Sequence, residues 1–115
     1  HGEPGRRREP LASAHEIAAL MVDAVVSDLE PADGAKVLPF VNGMGGTPQL
    51  ELYLLYGEVE NALREAGLEP VRRLVGSYIT SLEMAGASLT LLELDDEMTA
   101  LWDAPVRTAA LRWGV

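Results

Sequence analysis

Cysteine is absent from this chain. Disulfides, thiolate chemistry and cysteine-ligated zinc are therefore excluded together. Histidine is nearly absent too, with only His1 and His15. Long apolar runs are also lacking. Asp23, Asp28 and Glu58 interrupt the best candidates, so no stretch reaches the roughly 18 residues a membrane helix needs. Basic residues are in short supply: 9 Lys and Arg stand against 18 Asp and Glu, a net charge of −9. Such a chain repels phosphate backbones, which argues against nucleic-acid binding.

What is present fits one domain. The chain has 115 residues, 48% of them hydrophobic, enough for a core and too many for disorder. A cytoplasmic location and no membrane contact are the expectation. The sequence opens on His1, with no initiator Met and no apolar signal segment, and so is expected to be a processed product or a fragment. Gly2, Pro4, Gly5 and Pro10 make the first ten residues a loop. Arg6, Arg7 and Arg8 form its one basic run, readable as solvated charge or as a site for an anionic partner.

Beyond the loop the pattern turns helical. Ser13 followed by Glu16 is a capping box, and Ile17, Leu20, Met21, Ala24, Val25 and Leu29 line a helix face that ends before Pro31. Lys36 to Val41 reads as a short buried strand in which Pro39 asks for an edge or a bulge. Thr47 and Pro48 open a second helix, on the spacing of Leu52, Leu55, Tyr56, Val59, Leu63 and Ala66, closed by Gly67. Val71 to Ile79 and Ser88 to Leu94 read as two strands forming a hairpin-like pair, and Asp95 caps a final helix with Met98, Leu101 and Trp102. The expected fold class is α/β, a mixed β-sheet flanked by helices, with Trp102 and Trp113 at least partly buried.

Few residues in this pattern could carry chemistry. The turn Asn42–Thr47 leaves a strand and enters a helix, where free N–H groups would suit an anion or a carbonyl oxygen. It lacks the Lys of a phosphate-binding P-loop, and Pro48 stands where a dinucleotide fingerprint needs Gly. The plainer reading is a tight crossover turn needing positive φ. Asp95, Asp96 and Glu97 suit a helix start better than a metal, and Glu16 with Asp23 lacks a matching ligand set, so no metal is expected. His15 reads as a surface residue. His1 sits in a loop constrained by Gly and Pro, where an imidazole could act as base, ligand or nucleophile. An amino-terminal His could also bind copper with a second His, as in the copper monooxygenases that attack polysaccharides. The scarce aromatics, the missing cysteine and the helical position of His15 argue against that reading.

Six segments in order carry a resemblance: His1-Gly-Glu-Pro-Gly5, Val41-Asn-Gly-Met-Gly-Gly-Thr-Pro48, Glu51-Leu-Tyr53, Val75-Gly-Ser-Tyr-Ile-Thr-Ser-Leu-Glu-Met-Ala-Gly86, Ser88-Leu-Thr-Leu-Leu92 and Leu101-Trp-Asp-Ala-Pro105. Together with the closing Ala110-Leu-Arg-Trp-Gly114, they resemble the K-type substrate-binding subunit of dihydroxyacetone kinases across nearly all 115 residues. The resemblance implies that residues 1–115 form the C-terminal half of that subunit, with 1–12 as its active-site loop. It also implies that His1 is the catalytic and substrate-binding residue, adding through Nε2 to the ketone of dihydroxyacetone to give a covalent hemiaminal. A polyol without a carbonyl would escape such capture, so the selection rests on reactivity.

The family further implies that this chain binds no nucleotide and no metal. Mg²⁺ and ADP or ATP belong to a separate L-type kinase subunit. The ending at Val115, short of an L domain, leans towards phosphotransferase-system dependence. The implied partners are dihydroxyacetone, the N-terminal half of the same K subunit, the L-type subunit and a second copy in a homodimer. The family's other substrate contacts, a glycine, a second histidine and an aspartate, lie in its N-terminal half. The chain alone is therefore expected to be inactive and to expose apolar surface where that half packs. Ala87 stands where a bulkier aromatic is the family's habit. Two alternatives remain: a dihydroxyacetone-binding coactivator of transcription without kinase activity, and a kinase subunit for a related short ketose such as erythrulose.

Overall fold

The computed structural model describes residues 12–115. The first helix, α1, spans Ala14–Leu29, and the Ser13 side chain accepts the Glu16 N–H at 3.2 Å, as the capping box requires. It closes at Glu30, which adopts a left-handed conformation (φ 49°) just before Pro31. The buried stripe is rotated from the expected one. Ala18 and Val22 are fully covered and Val26 packs beside them, while Leu20 and Leu29 remain 44% and 39% exposed. The helix is apolar over more of its circumference than one neighbour can cover, and the small Ala18 lets it approach closely along the i, i+4 row.

Strand β1, Lys36–Gly43, is the centre of the sheet and not an edge. On one side it pairs in parallel with β2 (Glu69–Pro70) and then with β3 (Leu74–Gly76). On the other it pairs antiparallel with β4 (Ala87–Glu93) along its whole length. Pro39 survives in a central strand because of where its missing N–H points. The Leu94 N–H donates to the Lys36 carbonyl and the Met44 N–H to the Gly86 carbonyl. These bonds set the ladder phase, so the polar backbone groups of even-numbered β1 residues face β4 and those of odd-numbered residues face the other way. Pro39 therefore faces the interval between β2 and β3. There the partner advances from Pro70 to Leu74 while β1 advances only from Val37 to Phe40. The extra residue is the bulge that the proline called for.

The expected hairpin does not form. β3 covers only three of the nine residues from Val71 to Ile79, and β3 and β4 lie on opposite sides of β1. Residues 77–86 instead cross over the C-terminal end of β1, tied there by Ser81 N–H to Met44 O and Gly46 N–H to Met84 O, at 2.9 Å each. β1 competes successfully for both strands because it offers each a full set of ladder partners.

Helix α2, Gln49–Glu65, buries Leu52, Tyr56, Val59 and Leu63, as its spacing indicates. It ends at Gly67 (φ 83°). Both helices cover one sheet face, over Val37, Val41, Leu89 and Leu91. Asp95 caps α3, Asp96–Asp103, through Met98 N–H at 2.7 Å. A small ribbon of β5 (Val106–Arg107) and β6 (Arg112–Trp113) follows. Trp102 and Trp113, both half-buried, stack with centroids 4.9 Å apart. No helix of the described residues is long and apolar enough to cross a membrane.

Candidate functional site

His1, the residue on which the chemistry was expected to rest, lies outside the described residues, as do Arg6, Arg7 and Arg8. The structure does define the end of the sheet where β1 and β3 both terminate. In open α/β sheets, ligands approach the carboxyl ends of parallel strands. At that end the amide of Asn42, only 2% exposed, makes a closed set of bonds. Its Oδ1 accepts the N–H groups of Tyr78 (3.0 Å) and Ile79 (2.9 Å), and its Nδ2 donates to the Ile79 carbonyl (2.8 Å). One side chain thus acts as a missing strand for the segment leaving β3.

The glycine-rich turn beside it serves packing. A Cβ on Gly43 would lie 2.6 Å from the Ser77 hydroxyl and 2.8 Å from Leu52. One on Gly45 (φ 113°) would meet the Ser81 carbonyl at 2.6 Å. The N–H groups of Met44 and Gly46 are spent on the carbonyls of Gly86 and Met84. Two donors of the supposed anion cradle are therefore already used, which favours the crossover-turn reading. Thr47 does not cap α2. Pro48 takes the cap position without a side-chain bond, while the Thr47 hydroxyl donates to the Gly86 carbonyl (3.1 Å) and accepts the Gly86 N–H (2.9 Å). Sequence reasoning missed both Asn42 and this Thr47 clasp. The available signal was a polar residue, Asn42, at the end of an otherwise apolar strand.

Three further groups of titratable side chains among the described residues make structural contacts. His15 is exposed, as expected, and its Nδ1 lies 2.9 Å from Glu58 Oε2, which raises its pKa through hydrogen bonding and charge. Burial and the neighbouring Glu60 push the Tyr56 phenol up to about 12, so it stays protonated and donates to Glu60 at 3.1 Å. Arg72 grips Asp103 with two bonds, of 2.7 and 2.6 Å, joining the bulge to the end of α3 and holding the Asp103 carboxyl below its usual range. Among the described residues no three His, Asp or Glu side chains gather as a metal site. A hollow of about 480 Å³ opens beside the Thr47 clasp, between α1 (Ile17, Met21), α2 (Glu51, Leu54) and residues 85–87.

Comparison with known proteins settles the family. The Dak1 domain model matches residues 1–110. This chain belongs to the Dak1 family. It is 38% identical to the dihydroxyacetone-binding subunit DhaK of the PEP-dependent dihydroxyacetone kinase of Escherichia coli, over 99% of this chain and 39% of that protein. It is 43% identical to the L-erythrulose 1-kinase of Mycolicibacterium smegmatis, over 99% of this chain and 21% of that protein. The solved structure of a dihydroxyacetone kinase operon co-activator, DhaQ, superposes with a TM-score of 0.81 at 31% identity, covering 90% of this chain and 33% of the other. The chain thus spans about a fifth to two fifths of the length of these relatives. The mixed α/β fold expected from the order of elements and the family expected from the six segments are both borne out, and the relatives include dihydroxyacetone-binding kinase subunits.

Proposed function

We propose that this chain is the C-terminal, substrate-capturing half of a K-type dihydroxyacetone kinase subunit, and that His1 is its covalent anchor. The Nε2 lone pair of neutral His1 adds to the ketone carbon and the carbonyl π pair moves onto oxygen. The oxygen takes up a proton as Nδ1 releases one, leaving a neutral hemiaminal. The anchored ketose then presents a terminal hydroxyl to the phosphoryl donor, and positioning supplies much of the rate. Mg²⁺ and ADP or ATP reside on an L-type partner, the phosphotransferase system supplies the phosphate, and the subunit works as a cytoplasmic homodimer. By itself this chain transfers no phosphate, because the remaining substrate contacts belong to the N-terminal half.

One observation carries this reading: 38% identity to a dihydroxyacetone-binding subunit along 99% of the chain, with His1 inside the family match. The test is ¹³C NMR with carbonyl-labelled dihydroxyacetone, on this chain and on the intact subunit. A bound sp³ carbon in the intact subunit, lost in His1→Ala, is the expected result. An sp² imine signal would mark an amine as the nucleophile and would not support capture by His1. No bound species in either sample would overturn the proposal.

Two relatives motivate a second reading each. The 43% identity to an erythrulose kinase favours a four-carbon ketose, which competition between dihydroxyacetone and erythrulose for the same adduct would decide. The likeness to the co-activator favours capture without phosphoryl transfer, which would appear as co-purification with a transcriptional regulator in place of an L-type subunit.

A further inference from the structure

Strand β4 leaves one side of the sheet open. The ladder phase directs the N–H and C=O groups of Ser88, Thr90 and Leu92 towards β1, and those of Ala87, Leu89, Leu91 and Glu93 away from it. Among the described residues nothing pairs with that outer row. Of the devices that blunt an edge meant to stay free, this one has no proline, lysine or bulge, and its one charge, Glu93, stands at its last residue. A hollow of about 700 Å³ runs beside it, lined by Ala24, Val25, Ser27, Asp28 and Leu29 of α1 and by Leu89, Thr90 and Leu91 of β4. Ala24, Val25 and Leu29 are apolar residues of α1 outside its fully buried stripe of Ala18 and Val22, with Ser27 and Asp28 beside them.

We infer that β4's outer edge receives one further strand, running antiparallel to β4, from the residues that precede His1 in an intact K-type subunit. The inference rests on the K-subunit reading for the source of that strand, and on topology for its place. The first half of α1 (Ala14, Ile17, Met21) borders residues 85–87 and its second half (Ala24, Val25, Leu29) borders Leu89 and Leu91. The helix therefore runs with β4 and against β1. A strand feeding α1 through a connector must finish at the Ala87 end, and so lies parallel to β1.

Handedness then selects the edge. The connection β1–α2–β3 moves away from β4 with its helix over the Val37–Val41 face, and α1 covers the same face. An incoming strand beyond β4, crossing through α1 to β1, moves in the same direction over the same face and so has the same hand. A strand beyond β3 would have the opposite, left-handed crossover, which parallel connections almost never adopt. The relatives have ample chain for this, since 61% of the Escherichia coli subunit lies outside the match.

Amide hydrogen exchange, read residue by residue by NMR without substrate, tests this independently of ketose capture. In the chain as it stands, the Leu89 and Leu91 amides are expected to exchange on the order of 100-fold faster than those of Thr90 and Leu92. In the intact subunit the two sets should become equally slow. Ala24→Glu, which puts a bulky second carboxylate beside Asp28 in the hollow, should leave melting of the short chain unchanged and lower that of the intact subunit. Fast Leu89 and Leu91 amides in the intact subunit would overturn the inference. Slow ones in the short chain that track its concentration and sediment as a dimer would name a second copy as occupant and overturn it equally. A failed ¹³C adduct together with protected Leu89 and Leu91 would sink the capture reading and leave this one standing.

Discussion

The helix-covered face of the sheet and the end where β1 and β3 stop are built on different physics. On the face, Val37, Val41, Leu52, Val59 and Leu63 are removed from water completely, and the order arises from apolar burial. At the end, Tyr78, Ile79, Leu82 and Met84 stand largely exposed, and the order arises from hydrogen bonds made by Asn42, Thr47 and the glycine-rich turn. Burial is non-directional and tolerates exchange among side chains of similar volume. A hydrogen-bonded clasp fixes backbone positions and tolerates little. The difference suits the two tasks: a scaffold that holds itself together, and a rim whose shape is set one bond at a time.

Truncation within the face should have the largest effect. Leu63→Ala removes a fully buried side chain at the end of α2 and is expected to cost about 3 kcal/mol in denaturant unfolding, with the loss spread over the whole domain. The same measurement on Asn42→Ala should give a smaller global loss of about 2 kcal/mol, since backbone groups of Tyr78 and Ile79 are left without partners. The sharper readout is local. Exchange at Tyr78 and Ile79 should accelerate while the amides of α2 hold. Equal losses with no local acceleration would mean that face and end unfold as one unit, and the contrast drawn above would be wrong.

How far the sequence disclosed this contrast follows from the same physics. Burial leaves a periodic trace, and the spacing of Leu52, Tyr56, Val59 and Leu63 gave the face of α2 correctly. Caps are local, so Ser13 and Asp95 were legible. α1 was misjudged because it is apolar on two sides, one facing α2 and the core, the other facing the open edge of β4. Pairing partners leave no local trace, so two adjacent strands suggested a hairpin where both in fact chose β1. Asn42 and Thr47 were read as turn and cap residues, because the backbone groups they bind lie 36 to 39 positions away. The expectation for His1 came from its Gly/Pro loop and the family pattern, and it falls outside the described residues.

Thr47→Val probes the clasp more gently. The replacement keeps shape and β-branching, removes both bonds to Gly86, and should cost about 1 kcal/mol. If Thr47 were a helix cap after all, the fraying would appear in the first turn of α2, at Gln49 to Leu52, and the residues around Gly86 would be unmoved.

The smallest effect belongs to a charged contact between α1 and α2, His15 with Glu58. The His15 pKa is raised in the folded chain, first by its hydrogen bond to Glu58 and then by that carboxylate's charge. A raised folded-state pKa means that the folded chain holds the proton more tightly than the unfolded chain does. The stabilisation is therefore complete below the ordinary histidine pKa and disappears as the pH rises through the higher folded value. Melting of the unaltered chain should exceed that of Glu58→Gln by a small margin at about pH 5.5, and the margin should vanish by about pH 8.5. Both groups are solvent-exposed, and solvent screening keeps such pairs weak, so added salt should erase the margin as well. A margin that survives salt and high pH would show that Glu58 stabilises the helix pair by packing. The contact between α1 and α2 would then belong wholly to the buried face.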